Sequence, residues 1–82
     1  MNYEIKLKPK AIKDLENLPL EQSKRVLKKL EKFSINLEGD LKKLTNFTPE
    51  YRLRIGDYRV LFEIEENTIT VYRIIHRKEA YR

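Results

Sequence analysis

Cysteine and tryptophan are absent from this 82-residue chain, which has one histidine, one methionine, two glycines and three prolines. Without cysteine there is no disulfide framework, no thiolate ligand for zinc and no sulfur nucleophile. A single histidine excludes a multi-histidine metal site, so no metal and no cofactor is expected. No run of about 18 apolar residues occurs, which excludes a transmembrane helix. The first residues, Met-Asn-Tyr-Glu-Ile-Lys, lack the apolar stretch of a signal peptide. A cytoplasmic protein with no membrane partner is the expectation. A chain of this length buries only roughly 60–65% of the surface it exposes when unfolded. One domain spanning 1–82 is therefore expected, with little room for a deep, enclosed pocket.

What the chain does hold is charge: 18 Lys and Arg against 13 Asp and Glu, a net +5. The cations are sorted. Met1 to Glu50 carries ten Lys and one Arg, Arg25, whereas Tyr51 to Arg82 carries six Arg and one Lys. Lysine is a solvated point charge, and arginine is a planar fork that binds phosphate bidentately and stacks on rings. Two readings follow. Lysine simply suits helix surfaces and arginine strands, or the second half builds a phosphate-binding surface.

Hydrophobic period assigns the elements. Tyr3, Ile5 and Leu7 alternate with Glu4 and Lys6, as in a half-buried strand. Pro9 suits a helix start, and Ala11, Ile12, Leu15 and Leu18 recur at helical spacing. Pro19 separates this helix from a second, whose apolar stripe is Leu20, Val26, Leu27, Leu30, Phe33 and Leu37. Gly39-Asp40 breaks the pattern, and 41–49 reads as loop. Tyr51, Leu53 and Ile55 then share one face of a strand, with Arg52 and Arg54 on the other. Gly56-Asp57 is a type II′ hairpin signal. Tyr58 to Glu65 alternates again, and Thr68 to Arg77 is apolar on both faces, as in a central strand. The expected fold is α+β, in the order β-α-α-β-β-β. It is a four-stranded antiparallel sheet with an N-terminal helical hairpin on one face. The other face stays open and carries Arg52 and Arg54, about 6.5–7 Å apart along their strand, with Arg59 on or beside the same patch.

The segment Tyr51-Arg-Leu-Arg-Ile-Gly-Asp-Tyr-Arg-Val-Leu-Phe-Glu-Ile, followed by His76-Arg-Lys-Glu-Ala-Tyr-Arg82, resembles the RelE/ParE toxin superfamily of type II toxin–antitoxin systems. The first strand, the helical hairpin, Lys43-Leu44 and the chain length agree, so the resemblance covers essentially the whole chain. It implies a RelE-like, ribosome-dependent endoribonuclease that cleaves messenger RNA in the ribosomal A site and so inhibits translation. The 2′-hydroxyl of the message attacks the adjacent phosphate and leaves a 2′,3′-cyclic phosphate. Arg52 and Arg54 match the basic pair of the second strand, Arg59 the arginine after the glycine turn, Arg77 the arginine after the last strand, and Tyr81 a base-stacking tyrosine. Preplaced guanidinium groups suit the charge gathered in a phosphorane-like state. Some relatives use a lysine of the basic pair as base. Arginine is a poor base, so proton transfer is expected to fall to His76, with Tyr81, Glu50 or a ribosomal group as alternatives.

Read singly, several of these residues have a plainer account. His76 suits a satisfied surface histidine and Tyr81 a packing contact. Lys28, Lys29, Lys32, Lys42, Lys43 and Lys78 suit either solvated surface or sequence-independent RNA phosphate contacts. Arg73 is expected to pair with Glu63 or Glu65 across strands. The resemblance also implies an acidic antitoxin encoded by the neighbouring gene, with operator DNA reached only through that antitoxin. Two other functions stay open: a ParE-like module that poisons DNA gyrase without nuclease chemistry, and a non-toxic basic binding domain.

Overall fold

A computed structural model of the chain describes residues 2–44 and 48–80. The elements run β1 (Glu4–Leu7), α1 (Pro9–Glu16), α2 (Leu20–Asn36), β2 (Asp40–Lys43), β3 (Tyr51–Ile55), β4 (Tyr58–Glu65), β5 (Thr68–His76) and α3 (Arg77–Ala80). Pro9 opens α1 at its first turn, where a missing N–H costs nothing. Pro19 is the N-cap of α2, so one short segment ends the first helix and starts the second. Leu37 closes α2 in the left-handed region at φ 59°, donating its N–H to the Phe33 carbonyl at 2.7 Å.

The sheet has five strands in the order β1-β5-β4-β3-β2. Two expectations are corrected here. The segment 41–49 was expected to be loop, yet Asp40–Lys43 forms an edge strand antiparallel to β3, in register Leu41 with Leu53 and Lys42 with Arg52. The sheet is also mixed, because β1 pairs parallel with β5, Ile5 beside Ile69 and Leu7 beside Val71. Neither pairing has a local signature. Four residues ending in two lysines look like loop until a neighbouring strand satisfies their backbone groups.

Alternation puts Leu53, Ile55, Val60, Phe62, Ile69, Val71 and Ile74 on one face, all buried against Ala11, Val26, Leu30 and Phe33 of the helices. Phe33 meets Phe62 edge-on at 5.4 Å, and Tyr51 stacks on Phe62 at 5.6 Å. The double-sided hydrophobicity of β5 has a specific cause. Leu61 pairs with Arg73 but the next residue, Phe62, pairs with Val71, so Tyr72 is an extra residue in the ladder. This bulge resets the alternation, and Val71 and Ile74, three apart, both reach the core at 0% and 2% exposure. The β3–β4 hairpin turns through Gly56 at φ 58°, the first position of the expected turn. Among the described residues, no helix is long and apolar enough to cross a membrane.

Candidate functional site

The face of the sheet away from the helical hairpin gathers cations at one end. On β3, Arg52 and Arg54 alternate with buried Leu53 and Ile55. Across the ladders, Lys42 of β2 stands beside Arg52, and Arg59 of β4 stands directly opposite Arg54. Leu61 separates Arg52 from Arg73, and Ile75 flanks Arg59. Like charges facing each other across a ladder repel, but these two arginines are treated differently. Arg54 is exposed, whereas Arg59 is only 3% exposed. Arg59 turns one nitrogen, Nη1, toward the hairpin it follows and donates to the carbonyls of Gly56 and Tyr58, each at 3.0 Å. The expected open patch is therefore a surface pair, Arg52 and Arg54, backed by a buried arginine that fastens the turn.

The same turn holds the end of the chain. The Arg77 amide donates to the Asp57 carbonyl at 2.7 Å, which brings the start of α3 to the arginine end of the sheet. Arg77 and Lys78 are exposed there. Tyr81 lies outside the described residues.

His76 is not brought to the arginine face. It pairs with Tyr58, which in turn pairs with buried Ile55, while Arg59 pairs with Ile75. Strand alternation thus sends His76 and Arg59 to opposite sides of the sheet. The imidazole sits edge-on to the Tyr58 ring at 5.5 Å. Its Nδ1 accepts the Lys78 amide at 3.2 Å, the hydrogen bond of an N-cap side chain to the second helical residue.

Two features had no signal in the sequence pattern. Arg73 does not pair with Glu63 or Glu65. It donates through Nε and Nη2 to Asp14 of α1, at 2.8 and 3.1 Å. The same carboxylate accepts the Ile74 amide at 2.9 Å. Because β1 ends opposite Val71, this stretch of β5 has lost its strand neighbour, and Asp14 supplies the missing acceptor. Burial pushes the Asp14 carboxyl up, but bonds from Arg73 and Ile74 and the attraction of Arg73 and Lys10 outweigh it, so its pKa lies below the ordinary 3.8. The bulge residue Tyr72 donates its hydroxyl to Glu63 at 2.9 Å and has Lys8 Nζ 4.5 Å from its ring centre. The bond to Glu63, then burial, then the charges of Glu63 and Glu65 raise its pKa above 10.0.

The candidate lysines are dispersed. Lys28 and Lys29 are exposed on α2, Lys78 on α3, and Lys43 lies with its ammonium 5.9 Å from the centre of the Tyr51 ring. Only Lys42 joins the arginine row. Among the described residues, no group of acids or histidine is placed to hold a metal ion.

The chain matches the family model described as the ParE toxin of the type II toxin–antitoxin system, parDE, over residues 5–81. The chain belongs to the ParE toxin family. Members of this RelE/ParE group resemble it closely in sequence. Toxin RelE3 of Methanocaldococcus jannaschii is 36% identical over 75 residues, covering 85% of each chain. The ParE-family fold recurs in solved complexes. The RelB–RelE antitoxin–toxin complex from Methanococcus jannaschii matches with a TM-score of 0.75 and 32% identity, over 93% of this chain and 94% of that one. The RelE–RelB complex from Pyrococcus horikoshii matches at 0.77 and 26%, over 94% and 97%. The protein is thus a type II toxin of the RelE/ParE kind.

Proposed function

We propose that this toxin cleaves messenger RNA in the ribosomal A site, with the arginine face as the surface that holds the scissile phosphate. The observation that carries this reading is the row Lys42–Arg52 beside Arg54, with Arg59 directly behind it across the ladder. The 2′-oxygen of the message forms a bond to phosphorus while the bond to the 5′-oxygen breaks, leaving a 2′,3′-cyclic phosphate and a 5′-hydroxyl. Arg52 and Arg54 meet the non-bridging oxygens, where charge builds in the transition state. Arg59 holds the hairpin that places Arg54, and Arg77 adds charge at the same end of the sheet. Tyr81 stacks on a base and keeps the nucleotide in line.

The proton of the 2′-hydroxyl needs an acceptor. Arginine is a poor one, and the ladder sends His76 to the other side of the sheet. His76 is therefore given a positioning role: the 2′-hydroxyl proton passes to Glu50 or a ribosomal group, and the departing 5′-oxygen takes a proton from Tyr81 or a ribosomal group. Lys28, Lys29, Lys43 and Lys78 serve as sequence-independent contacts to RNA phosphates.

Expression in bacteria tests the reading. Growth arrest with new 5′ ends inside translated messages, mapped by primer extension, is expected. Arrest with intact messages excludes cleavage. A second reading is favoured by the ParE family model and by the placement of His76 on the side of the sheet away from the arginines. It makes the protein a gyrase poison, and inhibition of supercoiling in vitro without message cleavage is its signature. No arrest at all would leave a basic binding domain.

Relatives solved as RelB–RelE complexes support a cognate antitoxin here too. A +5 protein with a basic face suits an acidic partner, encoded by the adjacent gene, which carries any contact with operator DNA. Co-expression should neutralise the arrest and yield a stable complex.

A further inference from the structure

Arg25 is the one arginine before Tyr51, and the arginine face does not use it. Its guanidinium lies against the β3–β4 turn. A Cβ built on Gly56 would meet Cζ at 3.3 Å and Nη1 and Nη2 each at 3.4 Å. With the central carbon nearest and both nitrogens equidistant, the group lies face-on over Gly56. Its N–H edges are therefore presented sideways, away from the turn.

The cations continue from there along α2. Lys29 and Lys32 follow Arg25 at i+4 and i+7, on one side of the helix, about 6 Å and then about 4.5 Å further along the axis. Lys29 and Lys32 wall a cleft of about 320 Å³ whose other wall is Leu53, Arg54 and Ile55, with Glu38 the one carboxylate among its lining residues. Ile55 precedes Gly56, so Arg25 stands at the end of this cleft. Arg54 lies between Leu53 and Ile55 on this wall, but its side chain alternates with theirs onto the open face opposite Arg59, so the cleft and the arginine face lie on either side of β3.

We infer that this cleft is a second phosphodiester track, in which Arg25, Lys29 and Lys32 contact successive phosphates of an RNA strand that continues past Arg54. The inference deepens the cleavage reading, on which the choice of RNA as the nucleic acid rests. A row of cations rising steadily along one helix suits a backbone of evenly repeated charge. A guanidinium held face-on offers its fork in one fixed plane, as phosphate oxygens require. The nearness of the cleft to the Arg54 end of β3 favours a strand shared with the arginine face over a separate acidic peptide.

The test is fluorescence anisotropy with a short single-stranded RNA carrying 2′-O-methyl riboses, which binds but has no nucleophile. The triple variant Arg25→Gln/Lys29→Gln/Lys32→Gln changes exposed side chains only, and circular dichroism and thermal melting check its fold. The plot of log K against log salt should become shallower by about 2, at about 0.7 per lost contact on a single strand. Arg25→Lys keeps the charge but loses the fork, and should recover only part of the affinity. Binding to message-free ribosomes separates the two sources of phosphate. A loss there alone assigns the track to ribosomal RNA, and a loss on the oligonucleotide assigns it to the message. Unchanged slopes in both assays overturn the proposal. So does unchanged RNA binding with weakened binding of the acidic antitoxin. If the wild type shows the salt-dependent binding but messages stay intact in arrested cells, the cleavage reading fails and the track stands.

Discussion

Tyr58 and His76 face each other across the β4–β5 ladder, their rings edge-on at 5.5 Å, on the side away from Arg59. The same imidazole accepts the Lys78 amide through Nδ1, so it joins the end of β5 to the start of α3. A group so placed holds Arg77 and the residues after it relative to the arginine end of the sheet. His76→Asn, whose side-chain oxygen can cap the same amide, should therefore keep most of the growth arrest. His76→Ala should weaken it and lower the melting temperature. Arrest abolished equally by Asn and Ala, with both variants folded, would return proton transfer to His76.

Arg54 and Arg59 are expected to separate activity from stability. Arg54 is exposed, so Arg54→Ala should change stability by no more than about 0.5 kcal/mol while relieving arrest. Arg59 is buried and satisfies two turn carbonyls. Arg59→Ala should cost about 1–3 kcal/mol and lower the melting temperature by several degrees. Thermal melts of the two variants, beside growth curves, check the contrast. An Arg59→Ala protein that melts like wild type would show that the buried contacts contribute nothing.

Asp14 ties α1 to the edge of β5 where β1 stops. Its carboxylate accepts two bonds from Arg73 and one from Ile74. The Arg73 side chain is 41% exposed, so solvent screens the pair, and Asp14→Asn is expected to cost about 1–2 kcal/mol. The sign of the pH effect follows from the depressed pKa. The ionised form is favoured by folding, so its contribution is present above the unfolded value near 3.8 and is lost as pH falls through the lower folded value. Denaturant melts across acid pH should show wild-type stability falling in that window, and the fall should be smaller in Asp14→Asn.

Gly56 meets two constraints at once. Its φ of 58° is strained for any residue with a Cβ, and a Cβ there would press on the Arg25 guanidinium at 3.3 Å. Gly56→Ala should cost about 1–2 kcal/mol, measurable by chemical denaturation. The same substitution in an Arg25→Ala background should cost less, because the guanidinium is gone and only the backbone strain remains.

The helical hairpin was legible because one apolar stripe repeats along each helix and prolines mark both starts. The β3–β4 hairpin was legible because Leu53 and Ile55 alternate with Arg52 and Arg54 up to a Gly-Asp turn. That turn placed Arg59 on or beside the Arg52–Arg54 patch, and the ladder sets it directly opposite Arg54. The strand Asp40–Lys43 was not legible, since four residues with little apolar character become a strand only when β3 lies beside them. Nor was the side of the sheet on which His76 falls. One extra residue at Tyr72 shifts every later side chain of β5 to the other face, and nothing in the local alternation marks where it is inserted.

Sequence alone determined the charge of this toxin, its sorting into a lysine half and an arginine half, and which residues alternate with core positions. Those are local properties, set by the two-residue repeat of a strand and the 3.6-residue repeat of a helix. Tertiary structure decided which cations meet. It buried Arg59 behind exposed Arg54, gave Arg73 to Asp14, sent His76 away from the arginines and laid Arg25 over Gly56. Each of these depends on backbone groups and side chains from distant parts of the chain competing for the same hydrogen bonds and the same space.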